Sequence, residues 1–295
     1  PLQDYLTAVE HDEHPRIDTF LETYCGVRVL EKDGGQDVTD YVRTVSRRWL
    51  LSCVARALAP GCKMDTVLIL EGRQGAKKSS FLRALAGPFF ADSKITIGQK
   101  DAMQAAGTNW MHELAELTSF NNAEPETQKS FLSSAEDNFR PPFGRVHERF
   151  PRTAVFIGST NESRYLMDLT GNRRYWPVRC GSLQVQAARR DRDQLWAEAV
   201  AVYKAGETCL ACQAANDSED RCPQHRWWLS TEENEQLLER ITDQRLKSDH
   251  ARAIEAAILK LPASQRQEVY DIHEIVELLG LPLERLDSLA PKIGR

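Results

Sequence analysis

No apolar run in this chain approaches the roughly 18 residues that a membrane-spanning helix needs, so a helical integral membrane protein is excluded. Residues 1–16, PLQDYLTAVEHDEHPR, lack the basic-then-apolar pattern of a secretory signal. An initiating Met is missing as well, and the chain stops abruptly at Lys292 to Arg295, so an excised piece of a longer protein is expected. There is no internal repeat and no low-complexity segment, which sets aside solenoids and linker-like chains. A disulfide framework is absent too. Seven cysteines is an odd number, and Cys25, Cys53, Cys62 and Cys180 are scattered, as expected of free thiols in a reducing cytoplasm. Nor is there an excess of positive charge: the net charge of −5 argues against a protein that coats nucleic acid wholesale. A groove can still be basic, because its own lining sets its potential.

What is present is an ordinary globular composition, 41% hydrophobic and 27% charged, long enough for one α/β core with smaller helical attachments. Residues 14–62 read as helical, with Tyr41, Val42, Val45, Trp49, Leu50, Val54 and Leu58 at helical spacing and Pro60-Gly61 as the stop. The run Thr66 to Leu70 is rich in β-formers and reads as a buried parallel strand. Further strands are predicted at Trp110 to Leu114 and Ala154 to Gly158, and helices at 79–86 and about 184–205. Strands alternating with helical stretches predict a parallel sheet with crossover helices. The expected organisation is a helical segment over 1–62, an α/β core over 63–205, a Cys/His-bearing segment over 206–228 and a helical part over 229–295.

The segment Gly72-Arg73-Gln74-Gly75-Ala76-Lys77-Lys78-Ser79 lies where a strand turns into a helix, which is the context that gives a phosphate-binding loop its meaning. In such a loop backbone N–H groups wrap the phosphates and the helix N-terminus adds partial positive charge. Lys78 is placed to reach the β- and γ-phosphates, and Ser79, with Ser80 beside it, to ligate Mg²⁺. One residue departs from the pattern, since the usual motif has Gly where this chain has Lys77. A side chain there strains the loop if positive φ is required.

A nucleotide hydrolase also needs acids beside the metal and the attacking water. Glu113 and Glu116, at or just past a strand end, are the candidates, with Glu116 assigned to the water and Glu113 to the metal or to structure. Asn161, after the third strand, is placed to sense the γ-phosphate, although Asn is also a common turn residue. Arg173 and Arg174 follow a Gly-Asn turn and are candidates for an arginine finger, in cis or toward a neighbouring subunit. The alternative is a surface turn anchored by Trp176.

Taken in order, GRQGAKKSSF, WMHELAEL, KSFLSSAEDNFRPPFGR, FPRTAVFIGSTN and YLMDLTGNRRYWPV resemble the virulence-associated protein E family over roughly residues 15–205. These are phage- and island-encoded P-loop proteins akin to superfamily 3 replicative helicases. The resemblance implies an AAA+-like fold, a ring as the active form, with a hexamer among the ring sizes to consider, and ATP turnover coupled to DNA. It puts Lys78 and Ser79 in the phosphate loop, Glu113 and Glu116 in the acidic motif, Asn161 in the sensor, and Arg173 or Arg174 in the finger.

Residues 140–152, RPPFGRVHERFPR, carry Arg140, Arg145, His147, Arg149 and Arg152 with interleaved aromatics, and Pro and Gly that predict a loop or hairpin. Arginines bind phosphates in pairs of N–H bonds, and aromatics stack on unpaired bases. In superfamily 3 helicases a hairpin in this interval grips single-stranded DNA, so these residues and Lys129 are the expected DNA contacts, on single-stranded or forked DNA. A solvated basic loop paired with acids is the alternative.

Cys209, Cys212, Cys222 and His225 form a C-x₂-C…C-x₂-H arrangement suited to tetrahedral zinc in a structural role. Free thiols on a loop are the alternative. Residues 252–294 read as short helices around a strand-like piece, either a winged-helix element cut before its final helix or wing, or a small helical bundle. Three functions are therefore open: a ring-forming ATP-driven motor on DNA, a nucleotide switch with hydrolysis blunted by Lys77, and a nucleic-acid-binding regulator.

Overall fold

Val67–Glu71 (β1) is the strand around which the rest is arranged. Its Val-Leu-Ile-Leu run is buried on both faces, as a central parallel strand requires. In the computed structural model, which describes residues 1–27, 39–93, 95, 97, 102–104, 109–115, 124–141, 144–161, 174–214 and 221–233, four more parallel strands join it. They are Phe90–Ala91 (β2), Met111–Ala115 (β3), Val155–Thr160 (β6) and Tyr175–Arg179 (β7), in the order β2-β3-β6-β1-β7. Glu136–Phe139 (β4) and Glu148–Pro151 (β5) form a separate antiparallel hairpin. The architecture is mixed α/β, a five-stranded parallel sheet flanked by helices.

Among the described residues the α-helices are Leu2–Thr7 (α1), Phe20–Cys25 (α2), Thr39–Leu58 (α3), Lys78–Ala86 (α4), Pro125–Ser133 (α5), Val185–Thr208 (α6) and Leu210–Ala214 (α7). Along α6, Leu195, Trp196, Ala199, Val200 and Tyr203 recur at helical spacing and are buried, so one stripe of that helix faces the body. Trp196 packs on Trp110 with ring centroids 4.7 Å apart and donates its indole N–H to Leu85 O at 3.0 Å. The Trp110 indole donates to Cys53 O at 2.9 Å, so two tryptophans tie α3, α4 and α6 together at the foot of β3. On the opposite sheet face Val67, Ile69, Leu114 and Phe156 pack with Phe131 and Leu132 of α5. Successive strand residues alternate faces, so Leu68, Leu70, Glu113, Ile157 and Ser159 share the other one.

Two sequence expectations change. The helical reading of 14–62 resolves into α2 and α3, with Gly26 in the left-handed region ending α2 by a C-cap and 28–38 outside the described residues. The stretch from Tyr175, where no strand was expected, is an edge strand with Trp176 buried in the core, and Pro177 is tolerated there because one side of an edge needs no donor. The expected winged-helix or bundle segment from 252 onward lies outside the described residues. Contacts divide the chain into two units, Pro1–Ser230 and Thr231–Arg295. Among the described residues no helix is long and apolar enough to cross a membrane.

Candidate active site

The loop from Gly72 to Lys77 leaves the carboxyl end of β1, the place where open parallel sheets present loops to ligands. Both neighbouring strands hold its start: Gly72 N–H donates to Thr160 O at 3.1 Å, and Cys180 N–H donates to Glu71 O at 2.8 Å. Gly75 has φ +79°, and Lys77 has φ +66°, at the position where the family pattern has Gly. Arg73, Gln74, Gly75, Lys77, Ser79 and Ser80 are exposed, while Ala76 and Lys78 are half-buried. The Lys78 ammonium donates back to Gly72 O at 2.8 Å and Arg73 O at 3.1 Å, and burial lowers its pKa. Lys77 ends the loop as the N-cap of α4, and its carbonyl accepts from Phe81 N–H at 2.9 Å.

Glu113 completes this end of the sheet. It stands on β3, two strands away from β1, with β6 between. Its Oε1 accepts from the Ser79 hydroxyl at 2.8 Å and from the Ser159 hydroxyl at 2.5 Å. Its Oε2 is buried without a hydrogen-bond partner among the described residues. The carboxylate is only 2% exposed, so that oxygen is an orphaned polar atom whose isolation is costly unless a ligand meets it. Hydroxyl and carboxylate oxygens form a hard donor set that fits Mg²⁺.

The basic hairpin is where the sequence placed it, between β3 and β6. Phe139 and Phe150 stack at 4.5 Å across its strands. Arg145, Val146, His147 and Arg149 are exposed near its tip. Arg140 donates to Gly144 O at 2.7 Å, and Arg149 lies 3.6 Å from Glu136.

Residues 6–245 match the virulence-associated protein E-like domain, more than half of the chain. The chain belongs to that family. No curated protein matches it. Three solved structures are similar to it: the A form apo structure of the NrS-1 C-terminal region, at 12% identity and TM-score 0.47 over 98% of this chain and 69% of that one; an apo structure of the same region, at 12% and 0.47 over 96% and 65%; and another A form apo structure, at 12% and 0.47 over 98% and 74%.

Within this virulence-associated protein E-like domain, three sequence assignments need revision or placement. Arg152, expected among the DNA contacts, is enclosed in the domain instead. It is 1% exposed, ion-paired with Asp137, hydrogen-bonded to Phe131 O and stacked 4.8 Å over the Phe131 ring, because a guanidinium beside a buried carboxylate and an aromatic face is better satisfied inside than in water. Arg174 stands at the amino end of β7, 3.9 Å from Asp65, whereas the loop borders the carboxyl end of that strand. Five residues of strand separate the two, so Arg174 cannot serve the loop of its own chain. Lys129 lies on α5, between β3 and the hairpin, 3.0 Å from Glu126. Asn161 is an exposed bend just past β6, while Glu116 and Arg173 lie outside the described residues.

Ser159 is the residue of this candidate site that sequence reasoning missed. It sits opposite Leu70 on one side and Ala115 on the other, which brings its hydroxyl to Glu113 from 46 residues away. The only signal was the polar Ser-Thr-Asn end of an otherwise apolar strand. Apart from this site, Cys209, Cys212, Cys222 and His225 bring one ligand atom each to within 4.8 Å of one another, a cluster that could bind a metal such as zinc.

Proposed function

We propose that this domain is a P-loop ATPase that couples hydrolysis to single-stranded or forked DNA, as a homo-oligomeric ring in phage or mobile-element replication. The observation that carries the reading is the Ser79–Glu113 contact at the mouth of the loop, with Glu113 Oε2 buried and unpartnered. ATP phosphates would lie against the loop N–H groups, and Lys78 would exchange two loop carbonyls for the β- and γ-phosphates. Ser79 and Glu113 would hold the Mg²⁺, which supplies charge neutralisation at the transferred phosphoryl group. Glu116 is proposed to orient the water and Asn161 to report the γ-phosphate. Arg173 would supply the finger to a neighbouring subunit. Arg145, His147 and Arg149 would meet the DNA backbone. Seven free thiols support a reducing cytoplasm as the compartment.

Steady-state ATP turnover with and without single-stranded DNA tests this. DNA-stimulated turnover is expected in the wild type, with loss of about 10²-fold or more in Glu113→Gln and Lys78→Ala, the scale of removing a transition-state charge partner. Wild-type protein that binds ATP and never hydrolyses it would sink the motor. The second reading, a nucleotide switch or DNA-binding interaction protein, is favoured by one observation, the positive φ of Lys77. Binding of ATP without turnover, restored by Lys77→Gly, would select it.

A further inference from the structure

We propose that Cys209, Cys212, Cys222 and His225 bind one zinc ion, and that this centre holds residues 209–225 on the body of the domain. The distances are those of a chelate. Cys209 Sγ lies 3.8 Å from Cys222 Sγ, Cys212 Sγ lies 3.4 Å from His225 Nδ1, and all four ligand atoms fall within 4.8 Å of one another. A tetrahedron with Zn–S of about 2.3 Å and Zn–N of about 2.0 Å has S–S edges of about 3.8 Å and S–N edges of about 3.5 Å. The sulfurs are too far apart for a disulfide, which needs about 2.05 Å.

Two tight turns build the site. Gln213 N–H donates to Cys209 O at 2.9 Å, and Arg226 N–H donates to Cys222 O at 3.1 Å, so each pair presents both ligands on one side. Binding releases the three thiol protons, and three thiolates with a neutral imidazole leave a net charge of minus one around Zn²⁺. Arginines flank it: Arg47 donates to Gln224 O at 3.5 Å, and Arg221 stacks 4.8 Å over Trp227. All four ligand positions come from the protein, so the centre is structural and keeps no open position for chemistry.

Among the described residues of the segment 209–225 none is buried, whereas Arg226, Trp227, Trp228 and Leu229 beyond it are. Leu210, its one large apolar side chain before Trp227, is 80% exposed. Residues 223–227 are nonetheless pinned to the domain: Arg48 donates to Pro223 O and Arg226 O, and the Trp227 indole donates to Lys63 O at 3.0 Å. For residues 209–225 a chelate does the work that Trp227, Trp228 and Leu229 do by burial for the stretch that follows. Gly206 points the same way. It sits inside α6, where Ala would suit the helix better, yet a Cβ there would come within 2.9 Å of His225 Cβ. The helix thus leaves room for the histidine ligand.

The test is metal analysis of the full chain purified under reductant, with Co²⁺ substitution and limited proteolysis. One zinc per chain is expected, with the thiolate charge-transfer and tetrahedral bands of Co²⁺ on exchange. Cys212→Ser should lose the metal and Cys62→Ser should keep it. Gly206→Val, which alters no ligand, should weaken affinity about 10–100-fold, the scale of a perturbed ligand shell. Chelation should speed cleavage within 209–230. A chain that holds no zinc and gives no tetrahedral Co²⁺ spectrum overturns the site, as does zinc retained in both Cys212→Ser and Cys222→Ser. Zinc lost with no change in cleavage overturns the fastening role.

Discussion

Lys77 occupies a backbone conformation that L-residues adopt at a penalty of about 1–2 kcal/mol. Nothing about its neighbours removes that penalty, because its side chain is exposed and its carbonyl is committed to the first turn of α4. Lys77→Gly relieves the strain and gives back part of the gain through a freer unfolded chain. The net expectation is a stabilisation of about 0.5–1 kcal/mol, read as a higher denaturant midpoint at unchanged slope. A lower midpoint would mean that the ammonium makes an interaction worth more than the strain. The sequence made the departure at residue 77 visible, but only the backbone angle turns an unusual letter into a strained one.

The hairpin is the element at which sequence reasoning divided most sharply. Its position and its basic character were legible, because Pro, Gly and the arginines are local signals. Which arginines face water was not legible, since charge type carries no information on burial. Arg152 closes the base of the hairpin from inside, and Arg56 braces the same place, donating to Met64 O at 3.0 Å and to Arg152 O at 3.3 Å. Burial lowers the Arg56 pKa to about 10. Arg152→Ala leaves Asp137 buried and unpaired and should cost about 3–5 kcal/mol of stability, seen in thermal or denaturant unfolding. Arg145→Ala with Arg149→Ala should leave stability within about 0.5 kcal/mol, weaken DNA binding and flatten its salt slope. Equal DNA affinity in that double variant would remove the hairpin from the interface. The same division explains the sheet. Gly72 to Ser79 was readable because strand, loop and helix are contiguous, whereas Ser159 meets Glu113 only through the strand order.

At the scale of the whole molecule, acid should unfold the domain partly through His112. This side chain is fully buried on β3, with Nε2 2.8 Å from Ser93 O and Nδ1 without a partner. Burial lowers its pKa below the ordinary value of about 6.5. The unfolded chain therefore takes up a proton first, so the contribution is intact above about pH 6.5 and is lost as pH falls toward the folded-state value. Unfolding free energy measured from pH 7.5 to 5 should fall, and the slope below about pH 6.5 should be smaller in His112→Gln. An unchanged slope would assign acid sensitivity to other groups. The join between hairpin and sheet matters mechanically. The return strand, β5, ends at Pro151, and only Arg152 to Ala154 precede β6, which is buried over its whole length and ends beside Glu113 at Ser159 and Thr160. The hairpin and the Ser159-Thr160 end of β6 are thus the two ends of one short piece of chain, and β6 is a drawbar: a pull on the hairpin arrives at Ser159 and Thr160 through covalent bonds and crosses from there to Glu113 and to Gly72 by one hydrogen bond each.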